Sequence, residues 1–474
     1  MTLANSHLSN SSRTYDVVVV GGGNAGLCAA ISARQAGASV LLLEQAPRAL
    51  RGGSTRHARN LRVKCDPPSV LPDQAYCGDE YWADLAQATA GHTDENLARL
   101  MIEGSAHIVR WMEQCGIQFE KSRIGNRPSR KTAFLLGGGK ALLNAYYRKA
   151  ERIGVDIAYD TEVLSVPLDN GVACEIHAIS NCALTRVRTR AVVVSCGGSQ
   201  ANTDWLQHYW GDAANRFVIR GARQAKGRVL ASLLDQNVVP IGEPGQCHMV
   251  AVDARAPKFD GGIVTRLDCV PYSVVVDRNG QRFHDEGEEV GPRRFAVWGK
   301  LVARCPDQIA YAILDSKAEG LFRPSFYPPI RTQTISELAV ELKLNPADLA
   351  TTIHAFNAAI TDASDRKAGR LARAEDIVPP KSKWAMSIDT PPFSGYPLRP
   401  GVTFSYLGVK VDDHARVIMA SGRPAANVFA AGQIMLANIL ASGYLAGVGM
   451  TLGTVFGQIA GRCAVRAARS WSPR

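Results

Sequence analysis

The order of apolar and polar residues divides the chain into elements. Val17 to Val20 form an unbroken apolar run, as expected of a strand buried on both faces. Gly21-x-Gly23-x-x-Gly26 follows at once, and Leu27 to Gln35 carries apolar residues at helical spacing. Ala38 to Glu44 predicts a second strand that ends in an acid. Further on, Thr93 to Cys115 predicts a helix, with Thr93 as its cap, Asp94 and Glu95 in the first turn, and Gly116 as its stop. Gly137-Gly138-Gly139 leads into a predicted helix from Ala141 to Ile153. Strands are predicted for Asp156 to Val166, which includes Val163, and for Cys174 to Ile179 and Arg186 to Arg190. The buried run Ala191 to Val194 then ends at Gly197-Gly198.

From about Glu243 to Pro400 the texture changes to short strands and loops rich in proline, glycine and charge. Two capped helices lie inside. Thr334-Ile335-Ser336-Glu337 reads as a capping box, and Asn345-Pro346-Ala347-Asp348 as an N-cap, a first-turn proline and an early acid. Beyond this stretch, Asn427 to Gln433 predicts a strand ending in glycine, and Gly443 to Gly453 opens a last helix. The whole predicts an α/β chain, with a Rossmann-type dinucleotide-binding domain interrupted by an inserted α+β capping domain. The expected boundaries are a polar, disordered 1–14, a first part at 15–242, the cap at 243–403 and a second part at 404–474. A chain of 474 residues is too long for one core, which fits this division.

The glycines after the first strand have separate tasks. Gly21 makes the turn, Gly23 lets backbone approach a pyrophosphate, and Gly26 lets helix and strand pack closely. Asn24 and Ala25 open the helix, whose free N–H groups and dipole favour a phosphate. Glu44, followed by Gln45, sits where a ribose-binding acid belongs. The next loop, Arg51-Gly52-Gly53-Ser54-Thr55-Arg56-His57-Ala58-Arg59-Asn60-Leu61-Arg62, combines paired glycines and hydroxyls suited to a flavin's diphosphate and ribityl chain. It also carries four arginines. A solvated basic loop is the plain alternative, but this loop must lie beside the cofactor. No second Gly-x-Gly-x-x-Gly occurs in the middle of the chain, which argues against a separate NAD(P)H domain.

The net charge of +11 suits a polyanionic substrate, an anionic membrane surface or nucleic acid. Nucleic acid fits worst, because no Lys/Arg run with interleaved aromatics is present. The eleven cysteines are scattered without a Cys-x-x-Cys. That argues against iron–sulfur or zinc sites and for reduced thiols in the cytoplasm. No secretory signal and no membrane-spanning run is evident.

Several stretches carry a resemblance. The N-terminal glycine motif, Gly52-Gly53-Ser54-Thr55, Asp277 to Phe283, Phe429-Ala430-Ala431-Gly432 and Thr454 to Gly461 resemble the fumarate reductase/succinate dehydrogenase flavoprotein family over nearly the whole chain. Arg51 to Arg62, Phe283 to Gly287 and Thr403 to Gly408 are more similar to the FAD-dependent tricarballylate dehydrogenases within it. The resemblance implies an FAD-binding domain, with substrate held over the flavin by a mobile cap. It places Gly21, Gly23, Asn24, Ala25, Gly26, Glu44, Gln45, Gly52, Gly53, Ser54, Thr55, Val163, Gly432, Gln433, Gly449 and Met450 at the cofactor. Ser54 stands where succinate dehydrogenases carry the flavin-linked histidine, so the FAD is expected to be non-covalent.

His248 matches the first substrate histidine of fumarate reductases. Phe404 or a neighbour stands where the second belongs, and Tyr444 lies near the family's late arginine. The dicarboxylate site is therefore altered. The implied reaction is oxidation of tricarballylate to cis-aconitate, with His248, Tyr444, Arg293 and Arg294 as catalytic candidates. Arg56, His57, Arg59 and Arg62 are the substrate-binding candidates. Each arginine alone also fits a surface charge, and Glu286 and Glu289 fit as partners of Arg293 and Arg294. Related enoate or ketosteroid enzymes, or a flavin electron-transfer component of a larger complex, are the alternatives. The implied partner is a separate membrane-bound iron–sulfur or haem acceptor. The basic tail Arg462 to Arg474 suits docking at an anionic membrane or partner.

Overall fold

The computed structural model describes residues 13–65, 75–120, 131–290, 293–361 and 372–470. The chain divides into two compact units. The first comprises 1–202, 221–247 and 404–474, and the second 203–220 and 248–403. The second unit thus also takes in 203–220, which the composition shift near Glu243 does not reveal. The expectation of disorder for 1–14 lies outside the described residues except at its end, where Thr14 already opens the first strand.

The first unit is built on a mixed sheet whose central strands run parallel. Its strand order is Arg416–Ile418, Pro424–Ala430, Ala183–Val194, β1 (Thr14–Val20), β2 (Val40–Leu43) and Asp156–Ala158. β1 runs parallel to both neighbours, with Val18 opposite Leu41 and Val192. Val17 to Val20 are all buried, as the unbroken valine run requires. The expected strand Asp156 to Val166 is two strands, Asp156–Ala158 and Thr161–Ser165, separated where Asp160 takes φ 52°. The two predicted runs at 186–194 are instead one strand, Ala183–Val194.

Helix α1 (Asn24–Gln35) packs along the last helix, Val448–Ser470. The contact is made by small residues spaced one turn apart. A Cβ on Gly457 would lie 2.5 Å from the Ala25 carbonyl oxygen, and one on Gly461 2.3 Å from that of Ala29. Backbones this close need glycine. The same crossing lets Asn24 Nδ2 donate to the Met450 carbonyl and to Thr454 Oγ1, each at 3.0 Å. The helix Glu95–Gln114 is capped by the Asp94 side chain, which accepts from the Leu97 N–H, and not by Thr93.

In the second unit, Val274–Asp277, Ala310–Leu314 and Phe393–Ser405 form an antiparallel sheet covered on both faces. The two-residue period of a strand divides its side chains. Val274, Val276, Tyr311 and Ile313 join Leu338, Leu342, Ile353 and Phe356 from helices Ile335–Leu342 and Pro346–Ala358. Val275, Ala310, Ala312 and Leu314 join Trp298 and Val302 from helix Arg294–Val302. The Thr334–Glu337 capping box and the Asn345 cap form as the sequence predicts. Glu286 does not pair with Arg293 or Arg294. It is buried against Arg282, with Nη2 to Oε2 at 2.6 Å.

No described helix is long and apolar enough to cross a membrane. The eleven cysteines are free thiols.

The helix crossing predicts a clear mutational cost. Gly457→Ala gains about 1 kcal/mol in helix propensity but overpacks a backbone contact, so the net effect should be a loss of about 1–3 kcal/mol. Urea unfolding checks this, and an unchanged or raised midpoint would show that the crossing is not tight.

Candidate cofactor and substrate site

The glycine turn, the acid and the following loop meet at the carboxyl ends of β1 and β2. Gly26 must be glycine, since a Cβ there would lie 1.9 Å from the Gly21 carbonyl oxygen. Glu44 is buried, and its Oε2 accepts from the Gly22 N–H at 3.2 Å, the Gly52 N–H at 3.1 Å and the Tyr147 hydroxyl at 3.3 Å. Its Oε1 accepts from the Ala46 N–H at 2.8 Å. Burial raises the Glu44 pKa, and the three amides and the Tyr147 hydroxyl oppose that rise. The carboxylate thus ties the glycine turn to the loop at Gly52, and Oε1 keeps acceptor capacity for a ribose hydroxyl.

Gly53–His57 forms a short 3₁₀ turn. Thr55 Oγ1 accepts the Asn24 N–H at 3.0 Å and so caps the start of α1 from another segment. Gly23, the N-cap, offers no side chain, and the following amides of a first helical turn have no acceptor within the helix. A Cβ on Gly53 would meet nothing within 4 Å, and one on Gly449 only Leu436 at 4.0 Å. The N-terminus of α1, that of the last helix and the open backbone at Gly53 and Gly449 suit a dinucleotide diphosphate. On these grounds the residues present fit FAD.

The remaining cofactor candidates are placed as follows. Met450 meets Asn24 through its carbonyl, and Ala25 faces Gly432, whose Cβ would lie 2.8 Å from the Ala25 Cβ. Val163 is buried in Thr161–Ser165 opposite Ala178, and Gln45 follows Glu44 in partial exposure. Gln433 reaches Gln200, which donates to Ser54 Oγ at 3.4 Å. Gln200 has no motif around it, and only the fold brings it there.

The basic loop is not uniform. Arg56 and His57 sit on the 3₁₀ turn beside Ser54 and Thr55, and Arg56 Nη1 donates to the Leu50 carbonyl at 2.8 Å. Arg59 is exposed over the Phe134 ring at 5.1 Å. Arg62 is buried, with Nη1 3.0 Å from Asp84 Oδ2 and 2.8 Å from the Tyr76 hydroxyl. Lys131 joins the same carboxylate at 2.8 Å. Tyr444 is 44% exposed, with its ring 6.4 Å from that of Phe404.

In the second unit, His248 is buried on strand Cys247–Asp253. Burial, aided by the charges of Arg220 and Lys300, lowers its pKa to about 3, so the imidazole is neutral at physiological pH. It can donate or accept a hydrogen bond there but cannot serve as a cation. Arg220 is also buried, with Nη1 on Thr403 Oγ1 at 2.7 Å and Nε on the Gly262 carbonyl at 2.9 Å. Nothing in the run Val218-Ile219-Arg220 signals this from sequence. Arg294 pairs with Asp268 at 3.0 Å, whereas Arg293 is exposed and 3.7 Å from Glu289.

Comparison with known proteins matches residues 16–451 to the FAD binding domain family. The NADH:fumarate oxidoreductase of Klebsiella pneumoniae is 24% identical, over 96% of this chain and 48% of that protein. The NADH:acrylate oxidoreductase of Vibrio harveyi is 24% identical, over 95% of this chain and 50% of that protein. The chain thus spans about half the length of these two relatives. Among solved structures, the open conformation of a flavocytochrome c3 fumarate reductase gives a TM-score of 0.78 at 19% identity, covering 98% of this chain and 80% of that one. A 3-ketosteroid delta1-dehydrogenase from Sterolibacterium denitrificans gives 0.76 at 17% identity, covering 97% and 100%. These likenesses agree on a flavoprotein fold. The chain belongs to the FAD binding domain family, and FAD is the cofactor that its first unit is built to hold.

Proposed function

We propose that the protein is an FAD-dependent oxidoreductase acting on a carbon–carbon bond, with tricarballylate as substrate and cis-aconitate as product. The observation that carries this reading is the continuity of Gly53–His57, where cofactor-loop residues share one turn with the Arg56 guanidinium and the His57 imidazole. Guanidinium groups suit carboxylates through paired hydrogen bonds, and an apolar steroid would not call for them. The relatives named for fumarate and acrylate support an unsaturated or saturated acid as substrate. A steroid or another enoate is the second reading, favoured by the ketosteroid dehydrogenase likeness. A flavin electron-transfer component of a larger complex is the third.

Oxidation of a CH–CH₂ unit removes a proton alpha to one carboxylate and a hydride from the neighbouring carbon. Bound FAD supplies the hydride acceptor. The chain must supply the rest. Arg56, His57 and Arg59 are our candidates for holding carboxylates in the first unit, and Arg220, Arg293 and Arg294 in the second. Arg62 is better read as a strut, because Asp84 and Tyr76 take up its guanidinium. Neutral His248 would hold a carboxylate oxygen by hydrogen bonding. Tyr444 is our candidate for the base, a role that its side chain can fill only as the phenolate. Cations near the reacting carboxylate stabilise the negative charge that builds as the proton leaves. We propose non-covalent FAD, given Ser54, and a separate membrane-bound iron–sulfur or haem protein as electron acceptor. We also propose a cytoplasmic location, peripheral at the membrane.

Three outcomes follow. Under anaerobic conditions tricarballylate should bleach the bound flavin, which acid precipitation should release intact. Bleaching by succinate or a steroid but not by tricarballylate would refute the substrate. Tyr444→Phe should retain FAD while slowing flavin reduction by about 10²–10⁴-fold, and an unchanged rate excludes Tyr444 as the base.

For His248, the folded pKa of about 3 lies below the ordinary 6.5, so the unfolded chain binds the extra proton first. Stability is therefore lost as pH falls from 6.5 towards 3. Denaturation of wild type and His248→Gln at pH 7 and pH 5 should show the variant gaining relative to wild type at the lower pH. A constant difference would mean that the imidazole titrates normally.

A further inference from the structure

Two carboxamides far apart in sequence face each other in the first unit. Gln433 Nε2 donates to Gln200 Oε1 at 2.7 Å, and Gln200 Nε2 donates back to Gln433 Oε1 at 3.3 Å. Each amide has a second donor contact. Gln200 Nε2 reaches Ser54 Oγ at 3.4 Å, and Gln433 Nε2 reaches the Ser405 carbonyl at 3.5 Å. Gln200 is fully buried, at 0% exposure. A buried carboxamide is costly unless its donors and acceptor are used, and here they are. Room for the pair depends on Gly198, because a Cβ there would lie 2.2 Å from Gln433 Nε2 and 2.5 Å from Ser405 Oγ.

The two ends of this pair flank the start of α1. On one side, Ser54 belongs to the turn whose Thr55 caps the Asn24 N–H. On the other, Gln433 follows Gly432, which abuts Ala25 in the first turn of α1. We propose that Gln200 and Gln433 form an amide clasp that fixes the spacing between the Gly53–His57 turn and the Gly432–Met435 turn, and so positions both for FAD. This rests on FAD being held by the first unit. The two glutamines are positioning residues, acting through the turns that they join.

The clasp can be made sensitive to pH. In the double variant Gln200→Glu, Gln433→Glu, two carboxyl groups replace amides whose closest atoms are 2.7 Å apart. Like charges so close do not both ionise readily, so the pair shares a proton in acid and is forced apart as that proton is lost. FAD affinity is read on the flavin-stripped protein by fluorescence quenching of added FAD, between pH 5.5 and pH 8.5. Relative to wild type, the double variant should bind FAD about tenfold more weakly at the upper end than at the lower, the effect of losing one or two hydrogen bonds. Gln433→Glu alone keeps an acceptor for Gln200 Nε2 but loses both of its donor contacts. At pH 8.5, where the lone carboxyl is ionised, it should weaken FAD several-fold relative to wild type. If the double variant does not fold, Gln433→Glu decides the question. Wild-type affinity in Gln433→Glu, or a double variant whose pH profile matches wild type, overturns the clasp. Failure of wild type itself to bind FAD overturns the cofactor assignment, and the clasp with it.

Discussion

The first unit depends on the close approach of two helices. The last helix can lie against α1 only because Gly457 and Gly461 present bare backbone to the Ala25 and Ala29 carbonyls. That contact sets the height of one helix against the other, and Asn24 fixes it by bonding to Met450 and Thr454. Two positive helix ends are thereby held near each other at the carboxyl edge of the sheet's parallel strands. Such an arrangement is unfavourable unless an anion or a set of acceptors answers it. The protein supplies some acceptors itself, Thr55 Oγ1 among them, and the cofactor's phosphates suit the remainder.

Glu44 does comparable work for the loop. Its carboxylate gathers N–H groups from Gly22, Ala46 and Gly52, three points that chain connectivity alone would let drift. The cost of burying this acid, which raises its pKa, is opposed by these donors and the Tyr147 hydroxyl. One residue therefore organises the glycine turn and the basic turn together, and cofactor binding and the placement of Arg56 and His57 are mechanically linked.

What could be read from sequence was local. The βαβ unit, its glycines, Glu44 and the two caps at Thr334 and Asn345 all depend on residues within one or two turns of each other. Thr93 was a reasonable cap by type, yet Asp94 holds the position because its carboxylate reaches the Leu97 N–H. The break at Asp160 was hidden, since a left-handed residue that is not glycine leaves little trace in an apolar pattern. Arg62 looked like its neighbours Arg56 and Arg59. Only the arrival of Asp84, Tyr76 and Lys131 around it sets it apart. His248 was legible as a histidine of interest, but its neutrality comes from burial and from Arg220, which no spacing rule connects to it. Gln200 was invisible for the same reason.

The helix crossing also constrains the order in which the molecule can be made. Asn24 and Met450 are 426 positions apart. At ordinary rates of synthesis, about 5–20 residues per second, α1 waits roughly 20–85 s for its partner to leave the ribosome. During that time the small-residue face of α1 has no glycine stripe to cover it, and before the wait ends all of 248–403 has emerged and can assemble its own sheet. The nascent chain therefore finishes its inserted unit before its founding one. A cofactor-ready first unit appears only with the final segment, and premature termination anywhere before Gly461 would leave α1 open to the chaperones and proteases that patrol unfinished proteins.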